Sequence, residues 1–140
     1  MLEQVLLVHH KIRKDLFKEV GTKYTVEALK NIINNPISPI FVYVDDNDKI
    51  IAHAFCEFKE GKETSSTYKR STFFIDDLVV HEAYRNKGIG SELYKYLKNY
   101  AKENGFYHII LHVWEGNNEA QKFYEKIGMK PVQTVMEEIL

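Results

Sequence analysis

Phe74-Ile75-Asp76-Asp77-Leu78-Val79-Val80 runs shortly ahead of Arg85-Asn86-Lys87-Gly88-Ile89-Gly90. The first stretch is apolar, aromatic and β-branched apart from its two acids, and reads as part of a strand from Thr72 to Val80. The second is a glycine turn that opens an amphipathic helix. Ile89, Leu93, Leu97, Tyr100 and Ala101 share one face of that helix, and Asn104-Gly105 supplies its stop. Backbone amides in such a turn, together with the partial positive charge of a helix N-terminus, make a socket for phosphate. Gly88 and Gly90 allow close approach, Arg85 and Lys87 add full charges, and Asn86 tolerates a left-handed backbone. The same residues also fit an ordinary strand-to-helix turn. Two nucleotide motifs are excluded: no Gly-Lys-Ser/Thr follows, and Leu93 stands where a dinucleotide fingerprint has its third glycine.

Working outward, Val5, Leu6, His9, Ile12, Leu16, Phe17 and Val20 recur at helical spacing and predict a first helix ending at Gly21. Thr25 caps a second, with Val26, Leu29, Ile32 and Ile33 on its apolar face. Ile40–Val44 and Ile50–Phe58 read as a hairpin about the Asp45-Asp46-Asn47-Asp48 turn. The polar stretch Lys59–Arg70 reads as a loop, and the strand ending at Val80 as central because it is the most apolar. Ile109–Val113 is a fourth strand, Asn118–Ile127 a short helix closed by Gly128, and Val132–Leu140 alternates weakly as a last strand. The expected order is ααβββαβαβ, with a parallel crossover from the third strand to the fourth.

The chain has 140 residues and suits one domain, 1–140, with a core that needs no staples. A net charge of −1 provides no field for nucleic acid or anionic membrane, so neither partner is expected. A lone cysteine, Cys56, excludes an internal disulfide and a cysteine-based zinc site, and points to a reducing, cytoplasmic setting. His108 and His112 are four apart, a spacing that on a strand does not pair ligands, so no metal is expected.

A second constellation lies downstream. Asn117, Ala120 and Tyr124 fall on one helical face, with Phe123 and Ile127 directed elsewhere; Tyr124 alone fits a half-buried packing residue equally well. Taken together, Ile75-Asp76-Asp77-Leu78-Val79-Val80, Tyr84-Arg85-Asn86-Lys87-Gly88-Ile89-Gly90-Ser91 and Asn117-x-x-Ala120-x-x-Phe123-Tyr124-Glu125-Lys126-x-Gly128-Met129 resemble the GNAT superfamily of acetyl-CoA-dependent N-acetyltransferases. The motifs stand in the right order and separation from about Ile40 onward. The acidic pair, Tyr84-Arg85 and Gly88-Ile89-Gly90-Ser91-Glu92 look most like the polyamine (diamine) acetyltransferases.

The resemblance implies an α/β (α+β) fold with a mixed, mostly antiparallel twisted sheet flanked by helices. It also implies roles. Arg85, Asn86, Lys87, Gly88, Ile89, Gly90 and Ser91 would hold the CoA pyrophosphate. The backbone of Leu78, Val79 and Val80 would pair with the pantetheine arm, and an N–H of Leu78 or Val79 would stabilise an oxyanion. Asn117, with Ala120 and Phe123 beside it, would contact the pantetheine, and Tyr124 would protonate the departing thiolate.

A lysine-type amine has a pKa near 10.4, so its neutral form costs about 4–5 kcal/mol near pH 7 and a base is wanted. Side chains alternate along a strand, so only one of Asp76 and Asp77 is expected to face the cleft. Analogy favours Asp76 as base, acting through water or with a raised pKa, and Asp77 as a cation-binding or structural residue. Both carboxylates pairing with Arg or Lys is the competing reading.

GNAT domains usually open with a strand, and here the helical pattern starts at Leu2. Either Met1 is an internal start or the domain manages without that strand. The Ile40–Val44 edge would then be exposed, with a homodimer as one outcome. The expected function is acetyl transfer from acetyl-CoA to a small cationic amine or a protein amine in a ternary complex. A non-catalytic acyl-CoA-binding module, or a truncated domain of reduced activity, is the alternative.

Overall fold

Alternation and β-branching build one four-stranded sheet in the computed structural model, which describes residues 1–140. Its strands are β1 (Ile40–Val44), β2 (Ile50–Gly61), β3 (Arg70–Val80) and β4 (His108–Leu111), in that spatial order. The first three pair antiparallel, and β3 pairs parallel with β4. The parallel step is bridged by helix α3 (Ile89–Glu103), as the expected crossover requires. Helices α1 (Leu2–Ile12) and α2 (Val26–Ile33) precede the sheet, and α4 (Asn118–Lys126) follows it.

The core lies between the sheet and α3. Ala52, Ala54, Cys56, Phe73 and Ile75 meet Leu93, Tyr94, Leu97 and Ala101, and Phe73 and Leu97 are fully buried. Burying side chains of that size contributes roughly 1.5–3 kcal/mol each. Phe41, Phe58, Tyr100 and Phe106 close a ring of aromatic contacts about Phe73. The acidic hairpin turn is turn chemistry, since the Asp45 carboxylate accepts from the Asn47 and Lys49 amides at 2.9 and 3.0 Å.

Four expectations need correction. The first helix stops at Ile12, because Arg13 leaves helical geometry and the chain folds back. The Phe17 carbonyl then meets the His10 ring at 2.6 Å, while Leu16 and Val20 face solvent. Strands β2 and β3 continue into the expected loop, because Lys59↔Thr72, Glu60↔Ser71 and Gly61↔Arg70 extend a ladder that needs only backbone groups. Strand β4 ends at Leu111, where β3 diverges from it. No strand forms over 132–140. Val132, Val135, Met136, Ile139 and Leu140 are all exposed, and their spacing gives a strand no single apolar face.

β1 is an edge of the sheet, with Val42 and Val44 partly exposed on it.

Candidate active site

The site begins at an irregularity in β3. Phe55 pairs with Asp77 and the next residue, Cys56, pairs with Ile75, which leaves Asp76 as an extra residue in the ladder. Such a bulge turns the chain by one residue, so side chains on either side of it no longer alternate simply. Phe73 and Ile75 face the α3 core before the bulge, and Leu78 and Val80 pack against that core after it. Asp76 and Asp77 therefore fall on the same, opposite face. This overturns the expectation that only one carboxylate faces the cleft.

Both acids meet the segment between α1 and α2. Lys23 Nζ lies 3.0 Å from Asp76 Oδ2 and is also ion-paired with Asp77 Oδ2. The Tyr24 hydroxyl donates to Asp76 at 2.5 Å, and its ring packs on Phe55. The competing sequence reading, that the acids pair with a basic side chain, is thus met by Lys23.

The two carboxylates differ in burial: Asp77 is 8% exposed, whereas Asp76 is solvent-exposed. Burial pushes the Asp77 carboxyl above its usual pKa despite the Lys23 ammonium. Burial also opposes ionisation of Asp76, but Tyr24 and Lys23 together outweigh it and hold that carboxyl below the usual range.

The bulge also frees an edge. β4 pairs with β3 only from Thr72 to Ile75, so Leu78, Val79 and Val80 have a strand neighbour on the β2 side alone. Beyond Val80 a single tight helical turn, Glu82–Tyr84, leads into the glycine segment. Arg85 Nε donates to the Val80 carbonyl at 3.1 Å and fixes the approach of this segment to the strand. Asn86 (φ 60°) and Gly88 (φ 81°) are left-handed, and Gly88 is the N-cap of α3. Thr25 and Asn117 cap α2 and α4 with side-chain oxygens, whereas no side chain caps α3. Its first amides are thus left without an internal side-chain acceptor. Gly90 serves close packing: a Cβ there would lie 3.4 Å from the Phe123 ring and 3.5 Å from Val80 Cγ2.

The second constellation arrives on α4. Asn117 Oδ1 accepts from the Ala120 amide at 3.3 Å, so the residue expected to contact pantetheine also starts the helix. Tyr124 is half-buried. Burial, then the charge of Asp77 and neighbouring Tyr94, push its hydroxyl well above the usual tyrosine range, and it keeps its proton.

A cavity of about 790 Å³ joins these parts. It is bordered by Asp76, Asp77, Leu78, Val79, Val80, Arg85, Asn86, Gly88, Ile89, Gly90, Ser91, Asn117, Ala120, Phe123 and Tyr124. Lys87 is the one expected site residue outside it; its ammonium lies 5.5 Å from the Tyr84 ring centroid. Sequence reasoning missed Lys23, Tyr24, His9 and Phe17, and of these Lys23, His9 and Phe17 border the cavity. No motif marks them. The available signal was the acidic pair itself, since two adjacent Asp in an apolar strand call for a bulge or a cation. Trp114 also borders the cavity, edge-on to Phe17 with ring centroids 5.5 Å apart.

An uncapped helix start after a left-handed turn, an unpaired strand edge and a protonated hydroxyl lie around one cleft. The cleft thus offers free helix-start amides to an anion and an open strand edge to an extended ligand. Residues 7–129 match the acetyltransferase (GNAT) family, and the chain belongs to it. Members of that family use acetyl-CoA as co-substrate.

The chain is similar to a probable N-acetyltransferase of Drosophila melanogaster, san, at 32% identity over 89 residues, covering 63% of this chain and 45% of that protein. It is also similar to the thialysine N-epsilon-acetyltransferase of Bos taurus, at 32% identity over 63 residues, covering 45% of this chain and 37% of that one. The matches thus span less than half the length of these relatives. A crystal structure of a mutant BH1408 protein from Bacillus halodurans superposes with a TM-score of 0.93 at 28% identity, over 99% of this chain and 88% of that one. An aminoglycoside acetyltransferase from an uncultured soil metagenomic sample, crystallised with trehalose, shares the fold with a TM-score of 0.72 at 19% identity, over 98% of this chain and 86% of that one.

Proposed function

We propose that the chain is an acetyl-CoA-dependent N-acetyltransferase for a primary amine, either a small cation or a peptide amine. The observation that carries this reading is the joining of Asp77, Tyr124 and the uncapped α3 N-terminus by one cavity. Acetyl-CoA supplies an activated thioester carbonyl and a thiolate that leaves. Asn86 and residues Gly88 to Ser91 hold the pyrophosphate with backbone amides of the turn and the first helical turn, Arg85 adds charge there, and the free edge of Leu78, Val79 and Val80 aligns the pantetheine. Gly90 lets α3 and α4 approach closely enough to shape this cradle.

The structure favours a different base from the one analogy suggested. Asp77, buried and raised, takes a proton from the acceptor ammonium more readily than an ordinary Asp does. Asp76, held ionised by Lys23 and Tyr24, provides fixed charge that draws a cationic acceptor. Tyr124 retains its proton and is the donor at the leaving sulfur. Cys56 is buried with its thiol pushed up to about 12 by burial and by Asp76, which supports direct transfer over an acyl-cysteine route. The bovine relative, named for an ε-nitrogen, adds weight to a primary-amine acceptor. A cytoplasmic setting and pairing of two chains along the β1 edge belong to the same proposal.

The test is a panel of polyamines, lysine analogues, aminoglycosides and lysine peptides with acetyl-CoA, read by thiol release. Turnover on at least one cationic amine is expected. Heat stabilisation by CoA without turnover on any amine would leave an acyl-CoA-binding module instead.

A further inference from the structure

The amine nearest the carboxylates belongs to the chain itself. Lys23 borders the same cavity as Tyr124 and the α3 N-terminus, and its Nζ is ion-paired with Asp76 and Asp77 together. It is the one cation within ion-pair distance of either acid. Its segment is anchored beside this contact. Tyr24 donates to Asp76 and packs on Phe55, and Gly21, two residues ahead of Lys23, has a positive φ (128°). Lys23 is an ordinary primary amine, chemically equivalent to the acceptors considered above. Charge neutralisation alone would be served equally by arginine, whereas lysine adds a nucleophile once its proton leaves.

We propose that Lys23 is a self-acetylation site: with acetyl-CoA bound, the chain transfers one acetyl group to its own Lys23 Nζ. The inference rests on the acetyltransferase reading. In the transfer the ammonium gives a proton to the Asp77 carboxylate, and the nitrogen bonds to the acetyl carbonyl carbon. The carbon–sulfur bond breaks, the thiolate takes the Tyr124 proton, and the second nitrogen proton leaves to solvent. The product amide carries no charge, so Asp76 and Asp77 lose their internal cation and become free for an external ammonium.

The test compares two acetylation chemistries on the full chain by peptide mass spectrometry. Trace labelling with acetic anhydride in the absence of acetyl-CoA reads shelter alone. There Lys23, whose side chain is 24% exposed, is expected to label more slowly than exposed Lys62 or Lys122. With acetyl-CoA the order should invert, with Lys23 acetylated first by at least tenfold, at a rate per molecule independent of chain concentration. Lys23→Arg should lose this mass increment without another lysine replacing it. Acetylation by acetyl-CoA that follows the anhydride order overturns the proposal, as does a rate that rises with chain concentration. If Lys23 stays unmodified while panel amines turn over, self-acetylation falls and the acetyltransferase reading stands. If neither is acetylated, both fall.

Discussion

The two halves of β3 share one strand and differ in what surrounds them. From Thr72 to Ile75 the chain is flanked by β2 and β4 and turns Phe73 and Ile75 into the core. From Asp76 to Val80 it has β2 on one side and open cavity on the other, and it places two acids on one face. The dividing point is the extra residue at Asp76. One inserted residue separates a stretch that stabilises the fold from a stretch that presents unpaired backbone and charge. The second half keeps its β2 partner and the core contacts of Leu78 and Val80, so it is fixed on one side while its other edge stays open.

Phe73→Ala tests the paired half and should show the largest effect. Removing a fully buried ring costs about 3–5 kcal/mol, read by denaturant unfolding. A loss under ~1 kcal/mol would mean that the core does not centre on this strand. Tyr124→Phe tests the open half by deleting one oxygen. Turnover on a panel amine is expected to fall about a hundredfold, close to 3 kcal/mol of barrier, with CoA binding retained. Unchanged turnover would remove the proton-donor role from Tyr124.

His53, which pairs with Val79 across the open half, gives a pH test. Burial first, then the charges of the N-terminus and Lys23, lower it from 6.5 to about 4, and its Nε2 is buried without a partner. Between those pH values the unfolded chain binds a proton that the folded chain excludes. Stability therefore falls as the pH drops through this window, by about 3 kcal/mol. Asp77, raised by burial, acts with the opposite sign just above the usual carboxylate pKa. His53→Phe, compared with the parent chain, isolates the histidine. The variant should show a flatter profile from pH 6.5 to 4, and equal slopes for the two chains would sink the argument.

Much of this was legible in the residues. The strand ending at Val80, the glycine turn, α3 and the capped starts of α2 and α4 follow from local patterns, and they formed because packing agreed with them. The reach of α1 was not legible. Leu16 and Phe17 continue its spacing, yet Phe17 instead packs on His9 and Trp114. The expected last strand failed for the opposite reason: its apolar residues found no neighbour.

By itself the sequence determined the family and marked the glycine turn, Asp76, Asp77 and Tyr124 as candidates, since these depend on turn chemistry and short-range spacing. The tertiary structure decided how they are used. It put both acids on one face through the bulge and brought Lys23 and Tyr24 from more than fifty positions away onto them. It also assigned Asp77 the raised pKa and Asp76 the lowered one. Ladder register, burial and long-range ion pairs are set by which distant segments pack together, and no local pattern contains them.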